Sequence, residues 1–407
     1  MKRLLLALPV ILIVFIGLNV YIGWNLLVFL EWLAGPIPGP AFWALILLVV
    51  FGFPIGRIKK GPGPAMRLIK VVGAYYFAVF EYGCLLLPPA DIAGWLLREA
   101  GYGPAVHIGL PGAAVLAALL FLFGYGSFNA WSPVVREHRL EVAKDAGDLN
   151  ELRILAASDL HLGNIVGNRH LRRLTAVAEA RKPDLILLAG DVIDDDIEPF
   201  IRNRMDETIS ALRAPYGVWA VLGNHEYYGG QIEDWVRRAA DAGIRVLRDE
   251  TATVEGRFHI VGRKDKTAES AGPDGRLPVD RLLEGLDSRL PILLMDHQPL
   301  ALGEAARAGA DLLLCGHTHR GQFAPNHWLT RRMFELDWGY KRIGAMHVLV
   351  SSGFGTWGPA IRLASRCELL DITLVFTGGQ RSENRDNPGA AARADSVTIE
   401  DGQASRL

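Results

Sequence analysis

Apolar runs in the first third of the chain are too long for the core of a water-soluble domain, and they set the architecture of everything that follows. The hydrocarbon layer of a bilayer needs roughly 20 apolar residues per helix, and LLLALPVILIVFIGLNVYIGWNLLVFL (4–30) exceeds that. VVGAYYFAVFEYGCLLL (71–87) and AVHIGLPGAAVLAALLFLFGYGSF (105–128) are further spans, and AFWALILLVVFGFPIG (41–56) is a shorter one. About four transmembrane helices are therefore expected in an all-α region over 1–132. No small-residue cleavage site follows the first run, so it reads as a retained anchor rather than a secretory leader.

Basic residues in short loops orient such a region. Lys2 and Arg3 precede the first run, 31–40 carries neither Lys nor Arg, and Arg57, Lys59, Lys60, Arg67 and Lys70 follow the second. Arg98 is alone after the third, and Arg136, Arg139 and Lys144 follow the fourth. The alternation places both termini, and everything after 132, in the cytoplasm. Glu81 falls inside the third run, where an ionised side chain costs about 2.5–3.5 kcal/mol; it is either a packing residue or a functional carboxyl.

The formal net charge of −1 excludes a global electrostatic attraction to nucleic acid. Cys84, Cys315 and Cys367 are odd in number and widely spaced, which argues against a disulfide framework. From residue 152 the pattern changes to short apolar runs ending in polar clusters. LRILAASDLH, DLILLAGDVID, GVWAVLGNHEYY, PILLMDHQP, DLLLCGHTH, HVLVSSGFG and ELLDITLVF read as strands, RHLRRLTAVAEARK as an amphipathic helix, and TATVEGRFHIVG as a hairpin. Continuous apolar strands alternating with helices predict an α/β body with covered, mixed sheets over 150–377. The tail, 378–407, lacks the apolar surface to fold and is expected to be disordered.

Five strand ends carry metal-ligand residue types: Asp159 and His161, Asp191, Asn224 and His225, His297, and His317 with His319. Each follows its apolar run, which puts all of them on the carboxyl rim of the sheets, where α/β proteins gather ligands. Taken singly, each has an ordinary alternative as a core histidine or a helix cap. Two divalent ions about 3.5–4 Å apart need mixed N/O donors and a bridging oxygen, and a carboxylate such as Asp191 can bridge. In DxH and HxH spacing, residues i and i+2 point the same way from a strand end. Such a pair of ions polarises a phosphate and acidifies a bound water into a hydroxide nucleophile. Gly190, Gly223 and Gly316 allow the backbone to turn sharply there.

In order, DxH, GDxxD, GNH[DE], an isolated His and GHxH resemble the calcineurin-like metallophosphoesterase superfamily, over about 150–377. GHTHRGQ and SSGFGTWGPAIRLASRCELLDITL are similar to its membrane-associated bacterial branch, which has Pro near the position of Cys367. The resemblance implies a double β-sandwich flanked by helices (αββα) and a bacterial inner-membrane location. It also implies two divalent ions, Mn²⁺ first, with Fe or Zn²⁺ as alternatives. Asp159, His161, Asp191 and His319 would hold one ion, and Asp191, Asn224, His297 and His317 the other. His225 would act on the leaving oxygen, oriented by Asp194 or Glu226, and Arg320 and Gln322 would contact substrate.

The expected reaction is hydrolysis of a phosphodiester or pyrophosphate, with the bilayer and an amphiphilic phosphate ester as partners. Similarity to UDP-2,3-diacylglucosamine pyrophosphatases makes that nucleotide lipid the leading substrate. A nucleic-acid phosphodiesterase and a membrane sensor with a vestigial site are the alternatives; no nucleic-acid partner is expected, and the sequence points to no particular protein partner. Between Phe323 and His347 the chain concentrates Trp328, Arg331, Arg332, Trp338, Tyr340 and Lys341. That mixture suits a headgroup zone or a surface excursion packed on its own domain.

Overall fold

The computed structural model describes residues 2–57, 63–272, 275–378 and the pair 405–406. The chain divides into two compact units, Met1–Ser127 and Phe128–Leu407. Of the expected polar tail, only Gly378 and the pair 405–406 fall within the described residues.

The first unit is helical: α1 (Lys2–Ala34), α2 (Gly39–Val50), α3 (Gly52–Arg57), α4 (Pro64–Glu99) and α5 (Leu110–Trp131), the last entered through a π turn at Ala105–Gly109. Three stretches are long and apolar enough to cross a membrane, Leu8–Ala34, Pro64–Glu99 and Ala105–Trp131. The second expected span is instead split at Phe51 into α2 and α3, each too short alone. Helical bonding nevertheless passes through the break, because Phe51 N–H donates to Leu47 O and Ile55 N–H to Phe51 O. Together Gly39–Arg57 rise about 28 Å at the usual 1.5 Å per residue. Small residues bring α3 and α4 together: a Cβ on Gly73 would lie 2.2 Å from Phe53 N, and one on Gly56 2.4 Å from Lys70 Cβ. The loop expected after residue 87 is also helical, since α4 runs on through Pro88 and Pro89 to Glu99. Asp91 on that extension accepts hydrogen bonds from Tyr21 (2.5 Å) and Asn25 (3.3 Å) of α1.

In the second unit one sheet has the order β13-β1-β12-β2-β3-β4-β5, where β13 is the short edge pair Ser405–Arg406 antiparallel to β1, and the other β10-β11-β9-β8-β7-β6. The first comprises β1 (Val134–Val142), β2 (Glu151–Ala157), β3 (Leu185–Ala189), β4 (Val218–Val221), β5 (Ile244–Leu247) and β12 (Glu368–Phe376). The second comprises β6 (Glu250–Val254), β7 (Phe258–Gly262), β8 (Ile292–Met295), β9 (Leu312–Cys315), β10 (Gly339–Ile343) and β11 (Met346–Val350). Strand alternation decides the layers. Ile154 and Ala156 of β2 join a core with Ile260, Leu293 and Leu314 of the other sheet, whereas Leu155 and Ala157 pack with Leu171, Leu174 and Val177 of α6 (Asn168–Arg181). A third apolar cluster covers the outer face of the second sheet. The result is the expected αββα sandwich with mixed sheets.

β1 precedes the expected start of the domain at 150. Its sequence VVREHRLEV alternates charges along its exposed face and lacks the continuous apolar run of β3, β4, β8 and β9, yet it pairs in parallel with β12 along its whole length. The strands that end in ligand residues, β2, β3 and β4 in one sheet and β8 and β9 in the other, run parallel within their sheets. Their carboxyl ends therefore share a rim.

Candidate metal centre

Each site residue sits just past the end of its strand, and most sit there in a left-handed conformation. Asp159 (φ 52°), His161 (46°), Asp191 (51°), His317 (73°) and His319 (48°) all have positive φ. For a non-glycine residue this costs about 1–2 kcal/mol, and strain of this kind collects at functional sites. The side chains thus converge through tight turns after the strands, not through the i, i+2 alternation of extended chain that the DxH and HxH spacing suggested. Glycines make room for these side chains rather than for substrate. A Cβ on Gly223 would lie 2.1 Å from Asp191 Oδ1, and one on Gly316 2.2 Å from Asp159 Oδ2.

Two groups of donor atoms result, with Asp191 in reach of both. In the first, His161 Nε2 and His319 Nε2 face each other at 3.0 Å, with Asp159 Oδ1 3.4 Å from His319 Nε2. Asp191 Oδ2 lies 3.9 Å from His161 Nε2. In the second, His297 Nε2 lies 3.1 Å from the same Asp191 oxygen, and His317 Nδ1 lies 2.8 Å from Asn224 Oδ1. All are buried except His317, which is half-buried.

These atoms fit a cation. His297 Nδ1 donates to Ala189 O (2.8 Å), which leaves the Nε2 lone pair aimed at a carboxylate oxygen. Buried acceptors facing one another repel unless a proton or a cation lies between them. Burial alone would lower His297, but Asp191 and Asp159 hold its imidazole well above the ordinary range. Burial would raise Asp191, yet His297, His225 and His161 hold it well below the usual carboxylate range. Burial, then Asp191 against the pull of His297, pushes Asp159 up to about 6. Burial, then the His225 charge, pushes His161 down to about 3, so it is a neutral nitrogen donor. The mixture of imidazole, carboxylate and amide donors suits a first-row divalent ion.

The chain around the donors holds them in place. Backbone N–H of His317 donates to both oxygens of Asp159 (3.0 and 3.1 Å), and that of His225 to Asp191 Oδ1 (2.9 Å). Glu226 does not orient His225, as one expectation had it. Its buried carboxylate accepts N–H bonds from Asp191 (3.2 Å), Ile193 (3.0 Å) and Gly223 (2.7 Å), and so clasps the loops after β3 and β4.

His225 Nδ1 points at two acids, Asp195 Oδ1 at 2.9 Å and Asp194 Oδ1 at 3.4 Å. Asp194 was the residue expected from the motif; Asp195, the nearer and more buried, was missed. Burial opposes a charge on His225, but Asp191, Asp194 and Asp195 outweigh it and raise the imidazole to about 11. The exposed rings of Tyr228 and Trp357 stand 5.8 and 6.4 Å from the His225 ring and edge the opening.

Arg320 lays its guanidinium over the Trp338 ring at 4.0 Å. Gln322 does not reach outward. It is buried, its Nε2 donates to Trp357 O (2.8 Å) and its Oε1 accepts from Trp357 N (3.2 Å), so it shapes the loop instead of touching substrate. A further residue was not foreseen. Arg362, fully buried, donates from Nη2 to His319 Nδ1 (2.9 Å) and to Gly355 O (2.6 Å). Burial, with the Arg362 charge behind it, holds the His319 imidazole well below its ordinary range.

The calcineurin-like phosphoesterase family profile matches residues 152–321, which span β2 to the GHTHRG turn. An uncharacterized metallophosphoesterase of Aquifex aeolicus is 34% identical over 234 residues, 56% of this chain and 87% of that one. This chain belongs to the calcineurin-like metallophosphoesterases. It is therefore a metal-dependent phosphoester hydrolase, and its family implies divalent ions at the His/Asp cluster. A second relative joins this metallophosphoesterase to membranes. The transmembrane protein with metallophosphoesterase domain of Danio rerio is 31% identical over 311 residues, 73% of this chain and 70% of that one. The helical first unit agrees with membrane association.

Proposed function

We propose that this chain hydrolyses a lipid- or nucleotide-linked phosphodiester or pyrophosphate with two divalent cations shared across Asp191. One observation carries the reading: a single buried carboxylate oxygen of Asp191 lies within 4 Å of His161 Nε2 on one side and His297 Nε2 on the other. Asp159, His161, Asp191 and His319 would hold the first cation, and Asp191, Asn224, His297 and His317 the second, with Mn²⁺ as the preferred ion. When bound, the cations supply positive charge to the phosphate and lower the pKa of water toward neutrality.

The chain's own groups do the rest. His225, charged and steadied by Asp195 and Asp194, gives its proton to the leaving oxygen. Arg320, propped on Trp338, faces a substrate anion. Arg362 holds His319 from behind.

A lipid-linked substrate is supported by where the second unit receives the chain from α5. Asn129 Nδ2 donates to Arg362 O (3.1 Å), the same residue whose guanidinium reaches His319. UDP-2,3-diacylglucosamine is the leading candidate. The catalytic unit faces the cytoplasm of a bacterial inner membrane, and four crossings, counting Gly39–Arg57 as one kinked span, put the amino terminus on the same side. Purified full-length protein given Mn²⁺ and a panel of nucleotide lipids and simple diesters tests the substrate. Turnover of the nucleotide lipid at least tenfold above bis-p-nitrophenyl phosphate is expected, and turnover of simple diesters alone rejects it. Reporter fusions after Arg57 and at the carboxyl terminus test the orientation.

A further inference from the structure

The helix His327–Met333 ends at Phe334, whose ring lies 6.1 Å from that of His317, and buries none of its residues. Trp328 is 65% exposed, Leu329 59% and Met333 63%. Apolar side chains grouped in the open mark an interaction surface rather than a core. Arg331 and Arg332 occupy the last turn of the same helix. Of the acids that follow, Glu335 pairs with Lys341 (2.8 Å), and Asp337 accepts from Thr330 of this same helix (2.7 Å).

The base of this helix is tied to the place where the chain leaves α5. Trp338, five residues past Met333, lies under the Arg136 guanidinium at 4.9 Å and donates to Glu368 (3.0 Å), which also pairs with Arg136. Arg136 follows Trp131, the last residue of α5, by only five residues, a reach of at most about 18 Å. An exposed tryptophan with arginines beside it is suited to the headgroup level, where the ring sits among acyl carbons and the guanidinium among phosphates.

We propose that His327–Met333 is a membrane-contact finger, placing Trp328 and Leu329 in the headgroup zone of an anionic bilayer while Arg331 and Arg332 pair with lipid phosphates. The finger rests on the membrane anchoring proposed above and is independent of which ester is cleaved.

The test uses the full chain in nanodiscs, with Cys84→Ser and a nitroxide on Leu329→Cys; Cys315 and Cys367 are buried. Collision with oxygen and with a water-soluble nickel chelate is measured in zwitterionic lipid and in zwitterionic lipid mixed with phosphatidylglycerol. Shielding from the chelate should increase severalfold with phosphatidylglycerol, and Arg331→Glu with Arg332→Glu should remove the increase. A control label on Glu233→Cys, whose native side chain is exposed on the helix Ile232–Asp241, should stay open to the chelate throughout. Equal chelate access in both lipids, shielding indifferent to phosphatidylglycerol, or dipolar broadening from a second copy would each overturn the proposal. No readout needs turnover, so a failed hydrolysis assay would leave this test intact.

Discussion

His225 Nδ1 lies closer to Asp195 than to Asp194, 2.9 Å against 3.4 Å. The ranking matters because a histidine that protonates a leaving group works only when held in one orientation and kept charged. Asp195→Asn should therefore lower kcat by about 10- to 100-fold, and Asp194→Asn by less. His225→Ala should cost about 10²- to 10⁴-fold while both metals are retained. Steady-state kinetics with elemental analysis of the same samples checks this; loss of metal from His225→Ala would make His225 a ligand and not an acid.

Glu226 accepts three backbone N–H bonds from two loops. Glu226→Ala leaves three buried donors without an acceptor, and unmet donors of this kind cost about 1–3 kcal/mol each before water or relaxation makes up part. A net loss of roughly 3 kcal/mol should lower Tm by about 5–10 °C. Glu226→Gln, which keeps an acceptor oxygen, should lose less. Thermal unfolding in detergent distinguishes the two, and equal losses would point to charge rather than geometry.

Arg362 acts through His319. Arg362→Gln should weaken metal binding about 10- to 100-fold, the usual effect of removing a group that orients a ligand. Ser365→Ala removes a hydroxyl that accepts from Arg362 (2.8 Å) and donates to His319 O (3.1 Å) but leaves the guanidinium on His319 Nδ1, so it should weaken metal binding less than Arg362→Gln does. Titration of the metal-stripped protein with Mn²⁺ gives both affinities.

Burial pushes His170 down to about 4, and its Nε2 sits 2.8 Å from Phe354 O. Its folded pKa is below the ordinary value near 6.5, so on acidification the unfolded chain takes up the proton first. The contribution of His170 is intact above about pH 6.5 and is lost as pH falls toward 4. Tm should drop across that window, and His170→Gln should flatten the drop. Parallel curves for the two proteins would show that His170 is not responsible.

Much of the fold was legible because apolar strands and ligand types recur together: each of Asp159, Asp191, Asn224, His297 and His317 follows its own strand closely. What stayed hidden depends on neighbours that no local pattern encodes. The positive φ of Asp159 and Asp191 is imposed by cross-loop bonds, such as His161 N–H to Asp191 O (2.9 Å). Asp194 and Asp195 are adjacent in GDVIDDD, and only the turn decides which one meets His225. Arg362 lies 43 residues beyond His319, in a segment with no regular structure to announce it. Gln322 looked available beside the HxH turn and is consumed by the backbone of Trp357. In the membrane unit, composition alone could not show that Phe51 divides a span or that α4 continues past two prolines.

The central claim is that Asp191 joins two cation positions. Crystals of the full chain grown with Mn²⁺ and measured at the manganese absorption edge test it directly. Two anomalous peaks per chain are expected, one among Asp159, His161 and His319 and one among Asn224, His297 and His317, with Asp191 between them; both should vanish in Asp191→Ala. A single peak, or two that survive the loss of Asp191, would contradict it.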